Sequence, residues 1–202
     1  MVAGTDELIL SWESQARSFS ASAYRCFMTT GRMDANGERI WATKVPTKLK
    51  FFAWLFCNDR LPTRAKLLHK NILETGDASC PRGCGDIEDA THLFYFCPAA
   101  RATWSALSIA TTNACLASPW DCSIPPSLPA EVWDDILLMI LWQLWTSRND
   151  VVFQRSASPT AAVLAFLAGD IDLWSHRFSV VDKQRLNMWR MHVQSARMHC
   201  NL

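Results

Sequence analysis

Apolar residues recur every three or four positions along much of the chain, which is the spacing of one face of an α-helix. Prolines, glycines and polar clusters interrupt this spacing and mark where helices begin and end. Pro46, Pro98 and Pro159 stand where a first-turn proline is tolerated, while Thr63 and Asp182 are placed as N-caps. The pattern predicts helices over residues 46–58, 63–69, 98–107, 130–153, 159–174 and 182–193.

Changes in composition divide the chain into four parts. Ser18 or Ser20 is placed to cap a short helix before the Asp34–Gly37 loop, near which the first part ends. Prolines and scattered serines between residues 111 and 129 are typical of a linker or a long surface loop. The predicted parts are a lead-in at 1–36, a cysteine-containing domain at 37–110, a linker at 111–129 and a helical region at 130–202.

Composition narrows the class of protein. Half of the 202 residues are hydrophobic and 19% are charged, which excludes a disordered chain. Ten tryptophans and ten phenylalanines predict a folded body with several buried aromatic clusters. No apolar run approaches the roughly 20 residues that span a bilayer, and the first residues lack the pattern of a signal peptide. We therefore expect an intracellular protein of the nucleus or cytoplasm, with no membrane partner.

Three cysteines and one histidine lie close together in the chain. Their pattern is Cys80-x3-Cys84-x7-His92-x4-Cys97. Zinc favours four tetrahedral thiolate and imidazole ligands, and a complete set leaves no position for water, which indicates a structural ion. Glycines on both sides of Cys84 permit a tight turn, and a short helix from near Thr91 would aim the second pair inward. The alternative is a group of ordinary buried cysteines and a core histidine, which explains four candidate ligands in one polar segment less well.

Other candidate ligands fit a zinc site less well. His69 is a competing ligand, but its position favours the side of its own short helix. The remaining cysteines show no partner spacing and are interpreted as small core or surface residues; they are Cys26, Cys57, Cys115, Cys122 and Cys200. We expect a mostly α fold, in which a small irregular zinc-binding module packs with short helices and a helical C-terminal region follows.

Further segments occur in an ordered series around this cluster. They are Phe19–Arg25, Ile40–Trp54, Arg60–Thr63, Cys80–Gly85, His92–Pro98 and Ile140–Phe153. The series resembles the zinc-binding domain of plant non-LTR (LINE-type) retrotransposon reverse transcriptases, over roughly residues 10–155. Its last segment is similar to one that often precedes a ribonuclease H domain. The C-x3-C spacing departs from the usual C-x2-C by one residue.

The resemblance carries expectations about ligands and partners. In that family the domain lies behind the polymerase in a long polyprotein and is associated with holding the element's RNA or target DNA. The family's ligand positions correspond to Cys80, Cys84, His92 and Cys97. The resemblance therefore implies one structural Zn²⁺ ion and nucleic acid, RNA or DNA, as the partner.

Motifs for catalysis are not recognisable in the sequence. A Tyr-x-Asp-Asp-like polymerase hairpin, the dispersed carboxylates of a ribonuclease H, a Gly-rich phosphate loop and a nucleophile elbow are all missing. The adjacent Asp134 and Asp135 open an apolar helical segment, where acids favour the helix N-terminus, and a metal role is the alternative. We expect no enzymatic activity and no small-molecule substrate.

Basic residues are concentrated before the cysteine cluster, although the net charge of the whole chain is only +1. Between residues 39 and 70 there are eight basic residues and one acid, Asp59. Lysine and arginine neutralise phosphates and give salt-sensitive affinity for nucleic acid. The alternative is a solvated helical face. Arg39 is the first of the eight. The other seven are the candidate nucleic-acid-binding residues Lys44, Lys48, Lys50, Arg60, Arg64, Lys66 and Lys70.

Two classes of function follow from these observations. The first is a non-catalytic, retrotransposon-derived zinc-binding domain that binds nucleic acid through a basic face. The second is a protein-interaction or self-association module, or an inert remnant of a retroelement polyprotein, because the aromatic load favours docking once neighbouring domains are gone. The sequence does not fix an oligomeric state.

Overall fold

The fold is mostly helical, as the sequence predicts. The computed structural model describes residues 35–74 and 78–200, and β pairing in these ranges is limited to two isolated bridges, Ser79 with Ile87 and Ala110 with Ser123. The lead-in helix predicted after Ser18 or Ser20 lies outside the described residues. The α-helices of the described ranges are α1 (Ala35–Ala42), α2 (Thr47–Cys57), α3 (Arg64–His69), α4 (Pro98–Ala106), α5 (Trp133–Asn149), α6 (Thr160–Trp174) and α7 (Val180–His199).

Helix α5 lies at the centre of the compact unit formed by residues 36–202. Its residues Ile136–Leu141 are all buried, so this helix is covered on every side. It packs against α2, α6 and a wide helical turn at His92–Phe96. The long C-terminal helix α7 packs against α6 in turn. The central helix therefore links the cysteine-containing segment to the C-terminal helices.

An aromatic cluster fills the space between α2, the His92–Phe96 turn and α5. Phe56 and Phe94 meet edge to face with ring centroids 4.7 Å apart. Phe52 contacts Phe94 at 6.1 Å and Trp142 at 5.4 Å. Buried aromatic pairs of this kind contribute beyond the area that they remove from water. The expectation of buried aromatic clusters is confirmed, and this one holds the cysteine-containing segment against the central helix.

Local signals place several helix ends as predicted. The Thr63 hydroxyl accepts a hydrogen bond from the Lys66 N–H, which makes Thr63 the N-cap of α3. Pro98 is the first residue of α4, where its missing N–H has no cost. The cap of α7 differs from the prediction, because Ser179 rather than Asp182 is the N-cap. The Ser179 hydroxyl accepts from the Asp182 N–H and donates to the Asp182 carboxylate.

The proline-rich segment at 111–129 folds back onto α1. Trp120 is buried and donates its indole N–H to Asn36 Oδ1 at 2.8 Å. The Asn36 side chain also donates to the carbonyl of Ala117 at 2.8 Å, and the Arg39 guanidinium lies over the Trp120 ring. This segment is a surface loop whose middle is fastened to the first described helix.

Candidate metal centre

The structure brings the four predicted ligands together. Each offers one ligand atom, and the four atoms lie within 4.8 Å of one another. The sulfur atoms of Cys80 and Cys97 are 4.0 Å apart, and Cys84 Sγ lies 3.2 Å from His92 Nε2. Ligand atoms bound to a tetrahedral zinc ion at about 2.0–2.3 Å stand roughly 3.5–3.8 Å from one another. The cluster therefore fits a zinc ion after small movements of its side chains.

The cluster is largely buried. Cys80, His92 and Cys97 are each at most 6% exposed, and Cys84 is half-buried. If all four residues bind one zinc ion, they complete its tetrahedral shell. The donor set of three thiolates and one imidazole is typical of zinc rather than of magnesium or calcium, which prefer oxygen.

A tight loop presents the first ligand pair. The Gly83 N–H donates to the Cys80 carbonyl at 3.0 Å, and the Cys80 N–H donates to the Asp86 carbonyl at 2.7 Å. Gly83 and Gly85 have φ angles of +75° and +88°, a region that residues with a Cβ rarely adopt. The glycines on both sides of Cys84 thus have the turning role that the sequence predicts. The loop accommodates the C-x3-C spacing of Cys80 and Cys84, which is one residue longer than the usual C-x2-C.

A capped, widened helical turn presents the second ligand pair. The Asp89 carboxylate accepts a hydrogen bond from the His92 N–H at 2.6 Å and starts the turn. The Cys97 N–H then bonds to the His92 carbonyl at 2.6 Å, five residues back instead of the four of an α-helix. Residues five apart in an α-helix are rotated by about 140° from each other. The wider turn reduces this rotation, so His92 and Cys97 can face the same point.

Electrostatics favour the metal-binding form of Cys97. A hydrogen bond between the sulfur atoms of Cys80 and Cys97 lowers the pKa of Cys97 and raises that of Cys80, while burial raises the pKa of both. The backbone N–H groups of Ala99 and Ala100, in the first turn of α4, lower the pKa of Cys97 further, as does the positive charge of Arg82. The thiolate is the form of cysteine that binds metals. The lowered pKa of Cys97 thus comes first from Cys80 and then from the N–H groups of α4, and it favours the thiolate form.

An acidic side chain faces the outer nitrogen of the ligand histidine. His92 Nδ1 lies 3.6 Å from a carboxylate oxygen of Asp86, whose side chain is 70% exposed. With an ion bound at Nε2, the atom that faces Cys84, Nδ1 would carry the proton and face this carboxylate. Carboxylates placed behind a ligand histidine fix its tautomer and increase its basicity as a ligand.

A buried ion pair fastens the metal-binding loop to the rest of the fold. Glu88 is 1% exposed and binds the guanidinium of Arg148, at the end of α5, through both carboxylate oxygens. The same carboxylate accepts a hydrogen bond from the Arg64 N–H at the start of α3. The Glu88 carbonyl accepts from the Ala65 N–H as well. One residue of the loop thus connects it to two helices.

The remaining candidate ligands lie outside this cluster. His69 is exposed at the end of α3 and is not among the four clustered residues. Asp134 and Asp135 stand in the first turn of α5, as expected for acids at a helix start. Asp134 pairs with Arg39 at 2.6 Å, and Asp135 accepts backbone N–H groups near α2. Of the other described cysteines, Cys57 and Cys122 are half-buried, while Cys115 and Cys200 are exposed.

The predicted basic residues do not all have the same environment. Lys44, Arg60 and Lys70 are exposed. Lys48 is also exposed, but its ammonium lies 5.3 Å from the ring of Trp142 and 5.6 Å from that of Trp174.

The other three predicted basic residues are half-buried and already have partners within the protein. Lys66 forms an ion pair with Asp59, the one acid of this part of the sequence. The Arg64 side chain donates to the Ser79 carbonyl, and Lys50 donates to the carbonyl of Trp41. Only some of the predicted nucleic-acid-binding residues are therefore exposed cations.

Sequence reasoning missed the residues that support the ligands. Glu88 and Arg148 are 60 positions apart, and only the fold brings them together. Asp89 could have been predicted from the sequence, because it lies three residues before His92, which is the spacing between an N-cap and the N–H group that it binds. Asp86 also lies between the two ligand pairs, where an acid beside a histidine ligand is common.

Comparison with known proteins agrees with the chemistry of the cluster. Residues 19–104 match the model of a protein family described as zinc-binding in reverse transcriptase. Neither the curated proteins nor the solved structures gave a match. The matched segment contains all four ligands and covers less than half of the chain. It supports a zinc-binding, reverse-transcriptase-associated domain here. In the described part of the chain, no helix combines the length and apolarity that crossing a bilayer requires.

Proposed function

We propose that this chain is a non-catalytic domain, derived from a plant LINE-type retrotransposon, that binds RNA or DNA and is stabilised by one structural zinc ion. The observation that carries the proposal is the complete set of three cysteines and one histidine inside a segment similar to a reverse-transcriptase zinc-binding family. A domain of that origin acts beside a polymerase, and its role is to hold the nucleic acid rather than to react with it.

The coordination chemistry supports a role without catalysis. A catalytic zinc ion keeps one position for water or substrate, and four protein ligands occupy all positions here. The ion would contribute to folding instead, because structural zinc binds only the assembled site. Its removal is expected to loosen the loop that Glu88 joins to α3 and α5.

The charge distribution supports nucleic acid as the partner. Basic residues outnumber acids by eight to one between residues 39 and 70, and the one acid, Asp59, is paired with Lys66. The exposed Lys44 and Lys70 remain available to contact phosphates, while the exposed Arg60 lies over the Trp54 ring. Such contacts give affinity that falls steeply with salt and depends little on sequence.

The test is binding of fluorescein-labelled RNA and DNA, followed by anisotropy at two salt concentrations. We expect the variant Lys44→Gln/Lys70→Gln to bind more weakly and to reduce the slope of log K against log salt by about 1–2, since each lost phosphate contact removes roughly 0.7–0.9. The matched control is Lys183→Gln/Arg197→Gln, which removes two exposed charges from α7. Equal losses in the two variants, or no binding by the unmodified protein, would contradict the proposal.

One observation favours self-association as a second candidate function. Helix α7 exposes an apolar stripe on the side away from the core, with 48–67% of each side chain accessible. Its spacing of seven, three and seven residues is that of a coiled-coil seam. The stripe consists of Val181, Met188, Met191 and Met198.

Sedimentation equilibrium separates this candidate from the first. A dimer that the variant Met188→Gln/Met191→Gln converts to a monomer would support self-association. A monomer at every concentration would exclude it, without any bearing on nucleic-acid binding.

A further inference from the structure

Two large aromatic side chains lie on the surface where α1 meets α2. Trp41 is 41% exposed and Phe51 is 55% exposed. Their rings meet edge to face with centroids 5.6 Å apart. Most other tryptophans of the described residues are buried, so a paired and exposed tryptophan is unusual in this fold. We call Trp41 and Phe51 the aromatic pair.

One cation lies beside the aromatic pair, and the charges of two more act on that cation. The Lys50 ammonium lies 5.9 Å from the centroid of the Trp41 ring and donates to the Trp41 carbonyl at 2.9 Å. The Arg177 Nε donates to the carbonyl of Lys44 at 2.6 Å. Arg177 follows α6 and is 133 positions from Lys44 in the sequence. The fold therefore adds a cation that the run of basic residues before the cysteines does not contain.

The positive charges of this group act on one another. Burial lowers the pKa of Lys50, Asp135 opposes this shift, and the charges of Arg177 and Lys44 lower the pKa further. The Asp135 carboxylate is buried and accepts hydrogen bonds from the N–H groups of Lys44 and Val45. An incoming anion would relieve the repulsion among the three cations.

The adjoining carboxylates have partners of their own. Asp134 is engaged by the Arg39 guanidinium, and Asp182 pairs with Arg185. The charge of Lys44 also acts on Asp182, but the main partner of that carboxylate is Arg185. A phosphate group is an anion of the kind that lysine and arginine bind.

We propose that Trp41 and Phe51, together with Lys44, Lys50 and Arg177, form a binding site for single-stranded nucleic acid. A base stacks on an exposed ring of the aromatic pair, and the exposed Lys44 and Arg177 contact the neighbouring phosphates. Lys50, which donates to the Trp41 carbonyl, adds positive charge beside the ring. Aromatic platforms beside basic side chains bind single strands in this way, because every base has a π-face. The faces of bases in a duplex are covered by their neighbours, so the site favours single strands. This inference rests on the proposed function and specifies its partner.

The test compares a 12-nucleotide single strand with a 12-base-pair duplex by fluorescence anisotropy. We expect the unmodified protein to prefer the single strand and Trp41→Ala/Phe51→Ala to bind it at least about fivefold more weakly. Trp41→Phe keeps a ring and should recover most of the affinity. The matched control Phe153→Ala/Phe166→Ala removes two exposed rings elsewhere and should bind normally. Zinc content and circular dichroism verify that each variant is folded.

Arg177 lies outside residues 19–104, the segment that matches the zinc-binding family. A substitution of Arg177 therefore tests the same site independently of that segment. Arg177→Gln is expected to weaken single-strand binding and to reduce its salt dependence by about one phosphate contact. The site is overturned if Arg177→Gln and the alanine variant of the aromatic pair both bind normally. Weakened binding by Lys44→Gln/Lys70→Gln in the same assay would leave the proposed function standing.

Two other outcomes also overturn the site. If the unmodified protein binds neither strand form, the proposed function fails and the site fails with it. If the alanine variant of the aromatic pair changes only the oligomeric state and not nucleic-acid affinity, the pair is a protein interface.

Discussion

Single residues around the four ligands determine how well the cluster can hold an ion. His92 faces Cys84 through Nε2 and Asp86 through Nδ1, so its ring orientation is constrained from both sides. Cys97 has a lowered pKa, since the Cys80 thiol and the first turn of α4 stabilise its thiolate. Of these groups, Asp86 is a side chain that is not itself one of the four ligands, so its effect can be removed by one substitution.

The first prediction concerns Asp86. Asp86→Asn keeps the shape of the side chain but removes the charge that faces His92 Nδ1. We expect zinc affinity to fall by about tenfold, the lower end for carboxylates behind a histidine ligand, because the contact is long and exposed. Competition with a zinc-sensitive dye measures the change. Asp121→Asn, at an exposed position of the loop between α4 and α5, is the control. Equal affinity in both variants would show that Asp86 does not support the ligand.

The second prediction concerns the pH dependence of stability. Burial raises the pKa of the Asp135 carboxyl to about 6, although the N–H groups of Lys44 and Val45 oppose the shift. In the unfolded chain the value is about 3.9. Between about pH 4 and 6 the folded protein holds more protons at this site than the unfolded chain. Its contribution to the free energy of unfolding therefore falls as the pH rises through this window and stays level above it.

Asp135→Asn removes this proton while the amide oxygen can still accept the two backbone hydrogen bonds. Relative to the unmodified protein, the variant should gain about 2–3 kcal/mol between pH 4 and pH 6. Urea unfolding at pH 4, 5, 6 and 7 measures the difference. Stability curves that run parallel in the two proteins across this range would refute the prediction. Because metal loss at low pH affects both proteins, the difference between them is the informative quantity.

The metal-binding segment, residues 80–97, is held to the neighbouring helices by a few contacts. The His92–Phe96 turn packs into the aromatic cluster with α2 and α5, and α4 begins directly after the last ligand. The loop between the two ligand pairs has a different anchor, the ion pair of Glu88 with Arg148 on α5. Loss of this anchor should loosen the loop from the side that faces the core.

The third prediction tests this anchor. Arg148→Met leaves the Glu88 carboxylate buried without its counter-charge and should lower the free energy of unfolding by about 3–5 kcal/mol. The double variant Glu88→Gln/Arg148→Met removes both charges and should recover part of the loss. Arg185→Met breaks an exposed ion pair and should change stability little. Chemical denaturation of the zinc-loaded proteins provides the values. A loss from Arg148→Met no larger than that from Arg185→Met would argue against the anchor.

At the scale of the whole molecule, the sequence predicted the features that depend on near neighbours in the chain. Thr63 and Pro98 mark helix starts through local hydrogen bonding, and the glycines beside Cys84 have the positive φ angles that a tight turn requires. The fold class follows from the periodicity of the apolar residues, and the chemistry of the cluster follows from the spacing of its ligands.

Features that join distant parts of the chain were not predictable from one sequence. The pairing of Glu88 with Arg148 and the approach of Arg177 to Lys44 depend on how α5 and α6 pack. The widened turn at His92–Phe96 was not predictable from its own residues, because none of them breaks an α-helix. Lys66 contributes to a run of positive charge in the sequence, yet its partner Asp59 neutralises it in the fold.

Metal analysis of purified protein tests the central claim most directly. The unmodified protein should contain one equivalent of zinc, and Cys84→Ser should lose it, because Cys84 is one of the four converging ligands. Cys115→Ser, at an exposed cysteine outside the cluster, should keep the full equivalent. Retention of one zinc by Cys84→Ser, or absence of zinc from the unmodified protein, would contradict the account.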